Sequence, residues 1–488
     1  MKMRTILLFP TIFCLFLAAH ATAYAAEYEH HTYSRTSRAR TGDLPDMLKK
    51  RSVRVLTSFS PTIFFMDKAK VYGFEYSLLK EYEKFLSKTL PGKHEVSVEF
   101  IPVPSDQLIP ALLDGRGDIV AALTTITPER EKKVAFTAPY LTDVKELVVT
   151  HKSISGIRKP EDLSGRTVLV RESSSYKESL DQLNRQLLAK GKPLVDVVTI
   201  PEYETTEDVL EMVNAGIVGI TLADGHLAEL WTRSLPDIRV LKDVALKTGG
   251  RIAWMVRKDN PELKASLDAF AKTVRKGSLL GNIYFNRYYR SGALLEHPLD
   301  EPYEVENFSA YTPLFKKYAA RYGLDWRLVA ALAFQESQFD HNAKSHAGAV
   351  GVMQLMPVIA RDKRIGIADI HSVENNIHAG VKYLALLRDR YFDPAQVPDE
   401  AVRIRFALAS YNAGPTRIRQ CREKAVSMGL DDRFWFHNTE YGAMSLVGME
   451  PVRYVNKINM YYQALILSDH LVKKRLPKQR SEAGKAAP

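Results

Sequence analysis

The sequence predicts a multidomain chain in which an α/β module is followed by an all-α module. Three observations predict it. From Pro45 to about Leu295, strand-type runs such as VRVLTSF and EVSVEFIPV alternate with helical runs such as EYSLLKEYEKFLSKTL and SDQLIPALLDG, the pattern of α/β layers. Around EHPLDEPYEVENFS (296–309) the composition turns acidic and Pro-bearing, as linkers do. Beyond it only helical periodicity remains, in YTPLFKKYAARYG, DWRLVAALAFQES, IHAGVKYLALLRDRY, EAVRIRFALASYNAG and YVNKINMYYQALILSDHLVKK.

The elements follow in chain order. Residues 1–25 combine a basic start (Lys2, Arg4), an apolar run from Ile6 to Ala19 and the small-x-small pattern Ala23-Tyr24-Ala25, which reads as a secretory signal peptide. Phe13 stands before Cys14, where a lipoprotein signal wants a small residue, so no lipid anchor is expected there. Residues 26–44 are polar and basic and read as a flexible arm; 45–295 form the α/β module, 296–309 the linker and 310–472 the helical module. The tail 473–488 is too poor in apolar residues to be expected to fold. At 488 residues, with 45% hydrophobic and 26% charged, the chain has the length and composition of two or three globular domains, with no collagen-like or coiled-coil bias. Signal cleavage would remove one of the two cysteines and leave Cys421 alone, so an exported chain would have no internal disulfide. It would also remove two of the 68 basic residues and no acid, leaving 66 against 57 acids, or +9. That charge suits generic solubility or attraction to an anionic polymer outside the cytoplasm; nucleic acid is not expected, because no recognition motif accompanies the export signal.

One position in the helical module conflicts with simple burial. Projected at 100° per residue from Asp325, a plausible N-cap, Val329, Leu332 and Ala333 fall on one narrow apolar stripe, and Glu336 falls on it too. A carboxylate on a core-facing stripe is costly unless it is kept for chemistry, and desolvation would raise its pKa into the range a general acid needs. The alternative is a Glu that caps its neighbours at a helix end. The following HAGAVGVMQLMP holds Gly348, Gly351 and Pro357, so a turn-rich segment is expected to lie over the carboxyl. Asp340 offers a second carboxylate four residues on, but a solvated residue just past the helix is the simpler reading.

The segment ES-x7-S-x2-GAVGVMQLMP, followed in order by NNIHAGVKYL (375–384), SYNAG (410–414) and EPVRYV (450–455), resembles the signature of the soluble-type, family 1 lytic transglycosylases. The resemblance implies a lysozyme-like α fold. It implies Glu336 as the lone catalytic acid/base, followed by Ser337. It further implies that Ser345, Met353 and Gln354 line the sugar groove, that Tyr411 and Asn412 stand opposite, and that Glu450 and Tyr454 complete the back. Three positions depart from the family pattern: Val352 stands for the usual Leu, Ser410 for Ala and Pro451 for Thr. The implied substrate is peptidoglycan. The acetamide of an N-acetylmuramic acid unit would assist bond cleavage, and its C6 hydroxyl would close a 1,6-anhydro ring in place of water.

Residues 45–295 resemble the periplasmic amino-acid-binding proteins of solute-binding family 3 through LLDGRGDIVAALTTITPEREKKVAFTAPY (112–140), YGFEYSLLKEYEKFL (72–86), EDLSGRTVLVRESSSY (161–176) and GITLADGHLAELW (219–231). This implies two α/β lobes about a hinge, a periplasmic-binding-protein fold with ligand held in the cleft. Arg130 would grip an α-carboxylate through its planar fork, with Thr125 beside it and Asp224 receiving an ammonium. Ser174 and Ser175 occupy a loop where related proteins often have Gly next to the ligand, and Ser174 is expected to meet it. The expected partners are glycan strands of peptidoglycan and an amino-acid or cell-wall peptide ligand in the cleft. The expected location is the periplasm, peripheral on the inner face of the outer membrane. No zinc-ligand spacing, P-loop, serine elbow or dinucleotide fingerprint is present, so neither metal nor cofactor is expected. Two other readings stand beside the lyase: a lysozyme-type hydrolase, which would need a second positioned carboxylate, and a binding protein with an inactive C-terminal module.

Overall fold

The computed structural model describes residues 39–67, 70–89, 96–290, 308–463 and 465–466. The expected signal peptide, residues 26–38 of the arm, 296–307 of the linker and the tail 473–488 lie outside the described residues. The architecture is a two-lobed α/β module followed by a helical module.

The first lobe is a five-stranded sheet of order β4-β1-β5-β12-β6, formed by β1 (Ser52–Thr57), β4 (Ser97–Pro102), β5 (Ile119–Val120), β6 (Ala135–Phe136) and β12 (Met255–Val256). The β2–β3 hairpin (Phe65–Asp67 with Lys70–Tyr72) projects from it. The second lobe has the order β11-β7-β10-β8-β9, from β7 (Leu141–His151), β8 (Thr167–Arg171), β9 (Asp196–Ile200), β10 (Ile220–Asp224) and β11 (Ile238–Ile252). β4, β1 and β5 of the first lobe and β9, β8 and β10 of the second run parallel, while β12 and β7 join them antiparallel; β5 and β10 are buried throughout, as helix-covered strands are. The chain passes between lobes twice, after β6 and before β12. The two passages are tied together where Thr137 N–H donates to Trp254 O at 3.0 Å and Trp254 N–H donates to the Thr137 hydroxyl at 3.2 Å. Beneath them Glu75, fully buried, accepts from Trp254 Nε1 at 2.9 Å, from Leu123 N at 2.8 Å and from the Tyr140 hydroxyl, which fixes the base of the hinge.

The α/β module starts earlier than its periodicity suggests. Arg40 N–H donates to Gly115 O at 2.9 Å, and Asp43 accepts from Leu44, Glu262 and Leu263 N–H at 2.8, 2.8 and 2.9 Å. Residues 40–43, read as the end of a flexible arm, are thus pinned to the first lobe, because one carboxylate caps two helices, Leu44–Lys49 and Pro261–Val274.

The helical module packs Phe308–Arg321, Trp326–Ser337, Val373–Tyr391, Glu400–Ala413, Pro415–Ser427 and Glu440–Leu446, with a last described helix over 450–463. Leu328, Val329, Leu332 and Ala333 are buried at its centre with Phe406 and Trp435. The two modules meet at the segment that follows β9. The Tyr203 ring stacks on Phe436 at 4.7 Å, with the Arg405 guanidinium 4.9 Å over Phe436 and 5.4 Å over Tyr203. Asn459 Nδ2 donates to Glu204 at 3.3 Å, and Met449 N–H donates to Asp67 at 3.2 Å.

Candidate functional site

Two sites emerge, a groove in the helical module and a cleft between the lobes. In the groove, the helix Trp326–Ser337 starts at Asp325, whose carboxylate accepts from Arg327 N–H, and stops at Gln338 in the left-handed conformation (φ 53°). Its last turn carries Glu336, half-buried, and the Tyr454 hydroxyl donates to the Glu336 carboxyl. Burial pushes Glu336 up to about 7, against the lowering effect of that hydrogen bond. Tyr454 and Tyr411 are in turn raised by burial and by the Glu336 charge beside them. Asp340 is exposed, and its carboxylate accepts from Asn342 N–H at 2.8 Å in a local turn.

The segment over the carboxyl is held by its own side chains. The Ser337 hydroxyl donates to Val352 O at 2.8 Å, and Tyr411 donates to Met353 O at 2.8 Å. Gln354, at φ 42°, gives its Nε2 hydrogens to Ala343 O and Gly351 O at 3.0 and 2.9 Å, which leaves only its side-chain oxygen for a sugar. Ser345 is exposed and closes the turn by accepting from Ala349 N–H at 3.0 Å. Asn412 and Glu450 lie together, Nδ2 donating to the carboxylate at 3.3 Å, with Glu450 exposed.

Met353 is a correction. Expected to line the groove, it is fully buried and packs against Gly380, where an added Cβ would stand 2.6 Å from Met353 Cβ. Its N–H donates to Asn376 Oδ1 at 2.8 Å, which turns the side chain into the core. Asn376 itself, unremarked within NNIHAGVKYL, is the residue that organises this segment: it is fully buried and also donates to Val350 O at 2.9 Å. Gly351 is required beside it, at φ 78° with an added Cβ only 2.5 Å from the Asn376 amide.

The cleft encloses about 660 Å³ and is lined from both lobes. Arg130 lies in it, on the helix Pro128–Lys133, and donates to Thr125 O at 2.8 Å and, across the lobes, to Ser173 O at 3.0 Å. Burial lowers its pKa. Thr125 is buried in the wall. Ser174, expected to meet a ligand, lines the cleft, and its hydroxyl also caps the helix Ser175–Ala189, donating to Arg171 O at 2.6 Å and accepting from Lys177 N–H at 3.3 Å. A serine just before a helix meets the helix's own unsatisfied N–H groups first.

Asp224 lines the cleft and is pushed up to about 7 by burial and by Glu146, its cross-strand neighbour on β7. One oxygen of each of these two buried carboxylates has no hydrogen-bond partner. Uptake of a proton or a cationic group beside the pair would relieve the repulsion. Glu207, missed by sequence reasoning, closes the cleft from the other side, accepting from Ser60 and Thr62 hydroxyls of the first lobe at 2.5 Å each. It reads in sequence as one more acid in a helix's first turn, beside the Thr205–Asp208 capping box.

Comparison with known proteins agrees with this division. Residues 52–289 match the family described as bacterial extracellular solute-binding proteins, family 3, and residues 313–430 match the transglycosylase SLT domain. A membrane-bound lytic murein transglycosylase F of Desulfosudis oleivorans is 34% identical over 428 residues, 84% of this chain and 89% of the relative. The protein so described in Ectopseudomonas mendocina is 28% identical over 433 residues, 85% of this chain and 84% of that one. Among solved structures, an ancestral arginine-binding protein bound to arginine aligns at 26% identity and TM-score 0.41, covering 49% of this chain and 98% of its own.

Proposed function

The chain belongs to the membrane-bound lytic murein transglycosylase F family and is a peptidoglycan lytic transglycosylase, and from that premise we propose how its residues divide the work. Glu336, in its protonated form, gives its proton to the glycosidic oxygen between N-acetylmuramic acid and N-acetylglucosamine as the C1–O bond breaks, with the sugar's acetamide assisting at C1. The resulting carboxylate takes the proton of the C6 hydroxyl, whose oxygen closes on C1 to give the 1,6-anhydro end. Proton and bond counts balance without water, and Glu336 returns to its starting state. One group serves as acid and then base, so a pKa near 7 suits both steps. The observation that carries this reading is the Glu336 carboxyl itself, raised by burial and held by Tyr454, while Asp340 is exposed and tied into its own turn. Tyr454 orients the carboxyl, Gln354 and Ser345 offer the groove their oxygens, and Asn412 with Glu450 forms its far edge.

The cleft takes a zwitterionic amino-acid-like or cell-wall peptide ligand, its carboxylate at Arg130 and its ammonium at Asp224. That ligand adjusts the enzyme. Support comes from the helix over 450–463, which carries Tyr454 and reaches the second lobe through Asn459, while Met449 at its start reaches the hairpin of the first. A change in lobe closure therefore pulls on the helix that holds the catalytic carboxyl; the ligand acts only through its differential affinity for the two lobe arrangements. The enzyme works in the periplasm, at a membrane; among the described residues no helix is long and apolar enough to cross one.

The test is the mass of muropeptides released from purified peptidoglycan. Products lighter by one water than hydrolysis products, formed by the parent and not by Glu336→Gln, are expected. Reducing ends would make the enzyme a hydrolase and require a second carboxylate. Adding stem-peptide fragments should change the rate for the parent and not for Arg130→Ala.

A further inference from the structure

The short helix Leu279–Phe285 presents an apolar pair to solvent. Leu279 is 78% exposed and Ile283, one turn on, 44%, while Phe285 and Gly281 of the same helix are buried. Exposed Lys276, in the turn before the helix, and exposed Arg287, just past its end, flank the pair in sequence. Beside it opens a cavity of about 710 Å³ that shares Lys276 and Phe285 with this segment, and the Lys276 ammonium lies 4.6 Å over the Phe285 ring. Lys145, Arg233 and Lys242 also line the cavity, against two acids, Asp143 and Glu229, the latter paired with Lys242 at 3.0 Å. An exposed aliphatic pair inside a net-positive rim is poorly suited to water and well suited to an anionic interface.

We propose that the Leu279–Ile283 ridge and the cationic cavity beside it form a docking surface for an anionic phospholipid bilayer. The two aliphatic side chains enter the boundary between headgroups and acyl chains, and lipid phosphates meet Lys276, Lys242, Lys145 and Arg233. The inference rests on the membrane-associated reading above and names the surface that makes the attachment. Two aliphatic side chains and a few cations give weak, reversible binding that salt opposes, because each cation near a charged bilayer contributes only about 1 kcal/mol within a Debye length.

Flotation of the purified full chain with vesicles of phosphatidylethanolamine and phosphatidylglycerol, against vesicles of phosphatidylcholine alone, tests it. The parent is expected to float with the anionic vesicles, less so as salt rises, and to stay behind with the zwitterionic ones. Leu279→Ser with Ile283→Ser is expected to lower partitioning about tenfold. Lys242→Glu with Lys276→Glu should lower it comparably and flatten the salt dependence. All four positions are exposed, so muropeptide release from soluble peptidoglycan fragments should match the parent's and report an intact fold. A serine variant that floats like the parent would overturn the inference and move the attachment to another segment. Displacement by inorganic phosphate would reassign the cavity to a free anion. A parent that floats with neither vesicle would sink the membrane-associated reading as well.

Discussion

Glu336 in the helical module and Asp224 in the α/β module are both carboxyls raised to about 7, yet they are built for different work. Glu336 owes its shift to burial alone, and its one hydrogen-bond partner is a tyrosine hydroxyl that can follow either protonation state. Asp224 owes part of its shift to a second carboxylate, Glu146, and carries an oxygen without a partner. The first arrangement suits a proton transfer; the second suits a cationic group beside two acids. A raised pKa marks a functional site without saying which function, and the neighbouring groups decide.

The difference can be broken most sharply at Glu336. Glu336→Gln is expected to reduce anhydro-muropeptide release by about a thousandfold, the scale of a lost general acid that also serves as base, whereas Asp224→Asn should leave release in the absence of ligand within about twofold of the parent, since the cleft takes no part in the chemistry. Equal losses in the two variants, measured on the same peptidoglycan, would collapse the distinction.

In stability the two substitutions should look alike. Both carboxyls bind their proton more tightly folded than unfolded, so their stabilising contribution is complete below about pH 4 and is lost as pH rises through about 7. Removing the ionisable group removes that loss. Urea melts at pH 8 should therefore show each variant more stable than the parent by on the order of 1–3 kcal/mol, with the gap narrowing below pH 7 and closing by about pH 4. A gap that widens towards acid would mean that the carboxyls are stabilised as anions.

Met353→Ala tests the correction in the groove. As a fully buried core residue it should lose about 2–4 kcal/mol in a denaturant melt, while a groove-lining methionine would cost little stability and chiefly raise KM. Tyr454→Phe removes the one hydrogen bond that lowers the Glu336 pKa, so the alkaline limb of the pH–rate profile, where the acid loses its proton, should move to higher pH, while the lost orientation of the carboxyl should lower the plateau rate about tenfold. The smallest effect is expected in the cleft: Thr62→Val deletes one of two hydroxyls on Glu207 and should open the lobes slightly, seen as a larger radius of gyration in scattering, at about 1 kcal/mol.

Much of this was legible beforehand. Glu336 could be placed by arithmetic, because a helix repeats every 3.6 residues and a carboxylate on the apolar stripe is conspicuous. The α/β-to-helical switch was legible for the same reason, as periodicity reports which face is buried. The segment 343–355 was not: Gly351 and Gln354 hold positive φ, so successive side chains follow no period, and Met353 turns inward where the resemblance placed it at a surface. Ser174 lies at a helix start, where sequence alone does not show that one hydroxyl caps the helix and also stands in the cleft wall.

By itself, then, the sequence determined what is local and periodic: the two modules, the order of strands and helices, and the helix that carries Glu336 in its last turn. Only the tertiary structure decided which distant groups meet. It put Glu146 opposite Asp224 through strand pairing, Glu207 against Ser60 and Thr62 through lobe closure, Asn376 beneath the groove segment, and Tyr454 on Glu336 from 118 positions along the chain. Such pairings join residues with no shared period: strand register sets the two carboxyls Glu146 and Asp224 side by side, and the others are selected by the need of a buried polar group to find a partner once water has gone.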